Sequence, residues 1–119
     1  MVVLVCGSRS VSFVRPDEVA SWVRSSFGRP CSLVSGGARG VDSLAPAAAR
    51  LLGCASVVVR PDYAAFGRRA PLVRDRVMVE QADAVLAVWD GVSRGTAYTV
   101  ACARRAGLPV VVVRADLLV

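Results

Sequence analysis

The sequence predicts an α/β fold: a three-layer sandwich with a five-stranded parallel sheet between helices, in one domain spanning residues 1–119. Three observations carry that prediction. Five short, almost wholly apolar runs recur along the chain, the pattern of strands buried on both faces. Helix-like stretches separate them, and right-handed crossovers of that length place helices on both faces of a parallel sheet. Glycine-bearing loops follow the first, second and fourth runs, at the strand ends where open parallel sheets hold their ligands.

The first run, Met1 to Cys6, is a Val/Leu strand ended by Gly7, with Gly7-Ser8-Arg9-Ser10 as a polar loop. Pro16 opens a helix whose first turn carries Asp17 and Glu18, where acids suit the helix dipole. Val19, Trp22, Val23 and Phe27 recur on its inner face, and Gly28 with Pro30 ends it. The second strand, Cys31 to Val34, leads into Ser35-Gly36-Gly37-Ala38-Arg39-Gly40-Val41-Asp42. A helix over residues 43–52 follows, with Asp42 at the N-cap position, Pro46 in the first turn and Gly53 as C-cap.

Val57 to Val59 reads as the third strand, and residues 60–70 as a long irregular connection. Its aromatics and arginines either embrace a base or sugar or pin the loop to the domain. Pro71 starts a helix with Val73, Val77 and Met78 inward and Arg74 near the buried side or a cleft. Ala84 to Trp89 is the fourth strand, and Asp90-Gly91-Val92-Ser93-Arg94-Gly95-Thr96 is a loop before a helix over residues 97–106. Pro109 to Val113 is the fifth strand. With the first and fourth strands adjacent, the order is 3-2-1-4-5.

Composition narrows the function. At 55% hydrophobic, 119 residues suffice for one core, and no apolar segment is long enough to span a bilayer. A cytoplasmic protein without a membrane partner is expected. The net charge of +6 comes from 15 basic residues, all arginine and scattered, so it welcomes an anionic ligand without specifying one. Histidine is absent, which excludes Ser-His and Cys-His nucleophile pairs and any His-ligated metal. Cys6, Cys31, Cys54 and Cys102 lie in or beside apolar runs and read as small buried hydrophobes. No metal and no cofactor is expected.

Three loops would meet at the switch point: Gly7-Ser8-Arg9, Ser35 to Asp42, and Asp90 to Thr96. Each offers backbone N–H groups, small hydroxyls and an arginine, the inventory for holding phosphate. The first lacks GxGxxG and none ends in GK[ST], so neither an ordinary NAD site nor a P-loop is indicated. Ser8, Arg9, Gly36, Gly37, Arg39, Gly40, Ser93, Arg94, Gly95 and Thr96 are the expected cradle, flanked by Gly7, Ser35, Asp42, Asp62, Tyr63, Asp75 and Asp90.

Cys6-Gly7-Ser8-Arg9, the Ser35 to Asp42 stretch, Pro61-Asp62-Tyr63 with Gly67, Arg74-Asp75-Arg76-Val77-Met78, and Asp90 to Thr96 together resemble the SLOG superfamily, most closely its YspA-like branch. The resemblance runs in order through nearly the whole chain. It implies a Rossmann-like domain that binds a nucleotide or nucleotide-derived ligand by phosphate and ribose at the glycine loops.

Relatives in that superfamily imply two alternatives. The LOG phosphoribohydrolases cleave the N-glycosidic bond of nucleoside 5′-monophosphates with an arginine, matched here by Arg74, and a glutamate, whose position is Thr99. Threonine supplies no carboxylate, and Asp90 is the best substitute on position, so Arg74 and Asp90 are the catalytic candidates. The DprA branch carries a comparable Ser-Gly-x-Ala-x-Gly-x-Asp loop and binds single-stranded DNA, a role the +6 charge fits. Against it, single-strand binders combine a basic track with aromatic platforms, and Tyr63, Phe66, Trp89 and Tyr98 are the only candidates near the cleft, with Trp89 placed for packing at the end of an apolar strand. Relatives also imply a homo-oligomer. The alanine-rich helices fit close packing between subunits, and alanines inside one domain read the same way.

Overall fold

The computed structural model describes residues 1–117. Strands β1 (Val2–Gly7), β2 (Ser32–Ser35), β3 (Ala55–Val58), β4 (Ala84–Trp89) and β5 (Val110–Arg114) form one parallel sheet in the order β3-β2-β1-β4-β5. That is the expected order. β1 and β4 pair from Val3 with Ala84 to Gly7 with Val88, so the strand order reverses along their shared border.

Alternation along β1 divides the core in two. Val3 and Val5 face a cluster built with Val19 and Val23 of α1 (Pro16–Phe27) and Ala48 and Leu52 of α2 (Ala45–Leu52). Leu4 and Cys6 face the opposite layer, against Met78 and Val79 of α4 (Ala70–Gln81) and Val100 and Ala103 of α5 (Arg94–Arg105). Each fully buried Val or Leu side chain stabilises the fold by roughly 1.5–3 kcal/mol. Among the described residues, no helix is long and apolar enough to cross a membrane.

Several boundaries differ from the sequence reading, each for a local reason. Residues Gly40–Leu44 wind into a tighter 3-10 turn, so α2 begins at Ala45 and Asp42 caps no helix with its side chain. α5 begins at Arg94, which brings Gly95 and Thr96 into its first turn. The connection after β3 contains a one-turn helix, α3 (Tyr63–Phe66), and a 3-10 turn, Gly67–Arg69. β3 itself runs Ala55–Val58 and is exposed throughout because it is the edge strand of the sheet. Val77 is also exposed, since α4 packs through Asp75, Met78 and Val79. Of the cysteines, all free, Cys6 is buried and Cys31 is exposed.

Candidate functional site

A cleft of about 400 Å³ opens at the carboxyl ends of β1 and β4. Its walls come from the β1–α1 loop (Gly7, Ser8, Arg9, Ser10), from Asp42, from the first turns of α4 (Leu72, Arg74, Asp75) and from the β4–α5 junction (Asp90, Ser93, Gly95, Thr96, Thr99). Cys6 and Met78 add apolar surface from the strand and helix behind it. Burial raises the Cys6 thiol well above its ordinary pKa, and the charges of Asp42 and Asp75 raise it further, so it is a neutral lining group and not a thiolate.

Asp42 ties two glycine loops together. Its Oδ1 accepts the Gly7 N–H at 3.2 Å and its Oδ2 accepts the Gly36 N–H at 3.3 Å. The 3-10 turn carries the carboxylate back toward both loops, and Gly40 makes that possible: φ is +79°, and a Cβ there would stand 2.5 Å from the Ser8 carbonyl oxygen. Burial pushes the Asp42 pKa up to about 6, against the opposing pull of Arg74 and of the two N–H groups. Asp42 is therefore a brace between loops, and the N–H groups of Gly7 and Gly36 are already engaged by it.

Arg74 closes the same side. Its Nε donates to Asp75 Oδ1 at 2.7 Å and its Nη1 to the Gly36 carbonyl at 2.8 Å, with both side chains about nine-tenths buried. A Cβ on Gly36 would lie 2.5 Å from Nη1, so a side chain there would push the guanidinium out of this position. Asp75 has its pKa raised by burial, opposed by Arg74 and by a hydrogen bond from Thr99. The Thr99 hydroxyl lies between that carboxylate and the Gly95 carbonyl, 3.2 Å away.

On the other side, buried Ser8 places its hydroxyl 2.6 Å from Ser93 Oγ and accepts the Asp90 N–H at 3.0 Å. Asp90 Oδ1 accepts the N–H groups of Val92 (2.9 Å) and Ser93 (2.7 Å), while Oδ2 accepts the Ser10 hydroxyl at 2.7 Å. These bonds, led by that from Ser10, hold the Asp90 pKa below the usual carboxylate range. Such a group has no proton to give at neutral pH and is a weak base. Trp89 braces the loop by donating from Nε1 to the Ser93 carbonyl at 3.0 Å, under the Arg114 guanidinium 5.5 Å from its ring centre.

Other donors stay open. The Ala97 N–H makes a bond back to the Ser93 carbonyl at the start of α5, so the N–H groups of Arg94, Gly95 and Thr96 precede the helical ladder and face outward from its N-terminus. Arg9 lines the cleft and, like Arg39 and Arg94, is exposed. Gly37 lies beside the Arg60 guanidinium.

The structure thus brings Gly7, Ser8, Arg9, Asp42, Arg74, Asp75, Asp90, Ser93, Gly95 and Thr96 to one cleft. Asp62 and Tyr63 stand outside its lining: Asp62 caps α3 by accepting the Ala65 N–H at 3.0 Å, and Tyr63 is exposed. Ser35 is buried with an Oγ that lacks a hydrogen-bond partner among the described residues, and it does not line the cleft. Tyr98 does not reach the cleft either; it sits in a groove with Arg76, Cys102 and Arg105, because its position on α5 turns it toward α4's outer face. Sequence reasoning passed over Ser10, although it is the hydroxyl three positions after Gly7, and Leu72.

Comparison with protein-family models and with curated proteins gives no match. Among solved structures, the fold is similar to DNA processing protein A (DprA) from Helicobacter pylori, reported with a single-stranded DNA binding mode, at a TM-score of 0.72 and 18% identity. That likeness covers 94% of this chain and 64% of that one. DprA from Streptococcus pneumoniae matches with a TM-score of 0.56 and 18% identity, over 98% of this chain and 60% of that one. The chain therefore spans less than two thirds of either relative, and at this identity the likeness is one of fold.

Proposed function

We propose that the cleft binds the sugar–phosphate of a nucleotide, presented by a single-stranded nucleic acid. The observation that carries this reading is the open N-terminus of α5 facing a cleft with Arg9 in its wall, Arg39 exposed on the second glycine loop and Arg94 exposed as the first residue of the helix. An anion there meets unpaired N–H groups and the positive end of a 12-residue helix. The SLOG-like loops and the fold shared with the DNA-binding protein from Helicobacter pylori support the same reading.

A second reading, a free nucleotide or nucleotide-derived small molecule, is favoured by the cleft's size, which falls within the range of small-ligand pockets. N-glycosidic cleavage has less behind it. Thr99 stands at the glutamate position, and both Asp90 oxygens are occupied in shaping their own loop.

Fluorescence anisotropy with a labelled thymidine oligomer of about a dozen nucleotides tests the proposal. Binding is expected at low salt, weakening steeply between about 50 and 200 mM as counterions are released. Arg94→Ala is expected to weaken it without altering the denaturation midpoint. No binding at low salt by a folded sample would overturn the reading, and tighter binding of adenosine monophosphate than of the oligomer would favour the second.

A further inference from the structure

The connection between β3 and α4 carries a second recognition surface. Every residue from Asp62 to Arg69 is exposed, and neither α3 nor the following 3-10 turn contains a buried side chain. The aromatics of this stretch therefore leave about half of their surface to solvent. Tyr63 is 58% exposed and Phe66 48%, at a spacing that sets them side by side on one turn. The turn is nonetheless well defined: Asp62 caps it through the Ala65 N–H, the Phe66 N–H donates to the Asp62 carbonyl at 3.0 Å, and the Gly67 N–H donates to the Tyr63 carbonyl.

Arginines flank the two rings. Arg60, Arg68 and Arg69 are exposed, and none of them has a carboxylate within salt-bridge distance among the described residues. The stretch also runs close to the cleft at both ends. Arg60 lies beside Gly37, the neighbour of Ala38 in the cleft wall, and Arg69 leads through Ala70 into Pro71 and Leu72, which line that wall.

We propose, building on the reading of the cleft as a nucleotide site, that residues 60–69 form a lip on which neighbouring bases of a single strand stack against Tyr63 and Phe66 while Arg60, Arg68 and Arg69 hold its phosphates. Two half-exposed rings on a hydrogen-bonded turn among unpaired cations match what single strands need: π-faces for bases and positive charge for the backbone. A lone mononucleotide in the cleft leaves the lip empty. A duplex keeps its bases stacked on one another, out of the rings' reach. The lip thus selects a polymer with unpaired bases.

The test compares the wild-type chain with a Tyr63→Ala/Phe66→Ala double variant, using a thymidine oligomer of about a dozen nucleotides and thymidine monophosphate as probes. The double variant is expected to lose at least tenfold in oligomer affinity, since one base stacked on one ring contributes about that much, while monophosphate affinity stays unchanged. A Tyr63→Phe/Phe66→Tyr variant should restore oligomer binding, because the rings and not their hydroxyls carry it. Oligomer affinity unchanged in the alanine double variant would overturn the lip and leave the cleft reading standing. So would a wild-type chain that binds the oligomer no tighter than the monophosphate. A wild-type chain that binds neither probe would overturn the cleft reading and the lip with it.

Discussion

Asp42 and Asp90 shape opposite halves of the cleft by one device, a carboxylate accepting two backbone N–H groups, in contrasting surroundings. Asp42 is buried, its two bonds are long at 3.2 and 3.3 Å, and burial drives its pKa upward. Asp90 is partly open to water, its bonds run from 2.7 to 2.9 Å with the Ser10 hydroxyl added, and its pKa falls. Desolvation wins at the first and hydrogen bonding at the second. The half near β2 thus holds a charge at a cost to the fold, whereas the half near β4 holds its charge comfortably.

Breaking the buried half should have the largest effect. Arg74→Ala strands the Asp75 carboxylate and frees the Gly36 carbonyl, so a loss of roughly 3–5 kcal/mol is expected in urea denaturation, as for other buried pairs cut on one side. Arg74→Lys should recover part of it. Asp42→Ala leaves the N–H groups of Gly7 and Gly36 without their acceptor and is expected to cost roughly 2–4 kcal/mol.

Changing pH sharpens the contrast without a mutation. The folded Asp42 pKa of about 6 lies above its ordinary 3.8, so the folded chain keeps a proton that the unfolded chain has lost over that interval. Its contribution to stability is complete below the ordinary value and is lost as pH rises through about 6, a difference of roughly 3 kcal/mol. Asp90 has the opposite sign: its lowered pKa contributes stability above the ordinary carboxylate range, lost only in stronger acid. Carboxyl carbon chemical shifts followed by NMR should show Asp42 titrating near pH 6 and Asp90 still ionised well below it.

Asp90→Ala should have the smallest effect. It removes bonds made at a partly solvated loop, where water can replace the lost acceptor, so the denaturation midpoint should move less than for Asp42→Ala. A loss equal to that of Asp42→Ala would erase the distinction between the two halves.

The strand order and the convergence of three loops were legible from the apolar runs and the glycines after them, because burial on both faces leaves an unmistakable pattern. Hydrogen-bond ownership was not legible. Gly7 and Gly36 read as donors for a phosphate, yet their N–H groups go to Asp42, whose direction depends on a 3-10 turn that its apolar neighbours do not announce. The start of α5 was hidden by Gly95, a poor helix former placed in its first turn. Residues 60–70 carry no periodicity, so nothing in the sequence distinguished anchoring rings from exposed ones.

The bond from Trp89 to the Ser93 carbonyl has a practical consequence. It fixes an intrinsic fluorophore to the backbone of the loop that opens α5, while the other tryptophan, Trp22, sits in the opposite core layer with α1. A ligand arriving at the helix terminus would disturb one indole and spare the other. The molecule carries its own optical reporter and internal reference, so occupancy of the cleft can be followed by emission without attaching a dye.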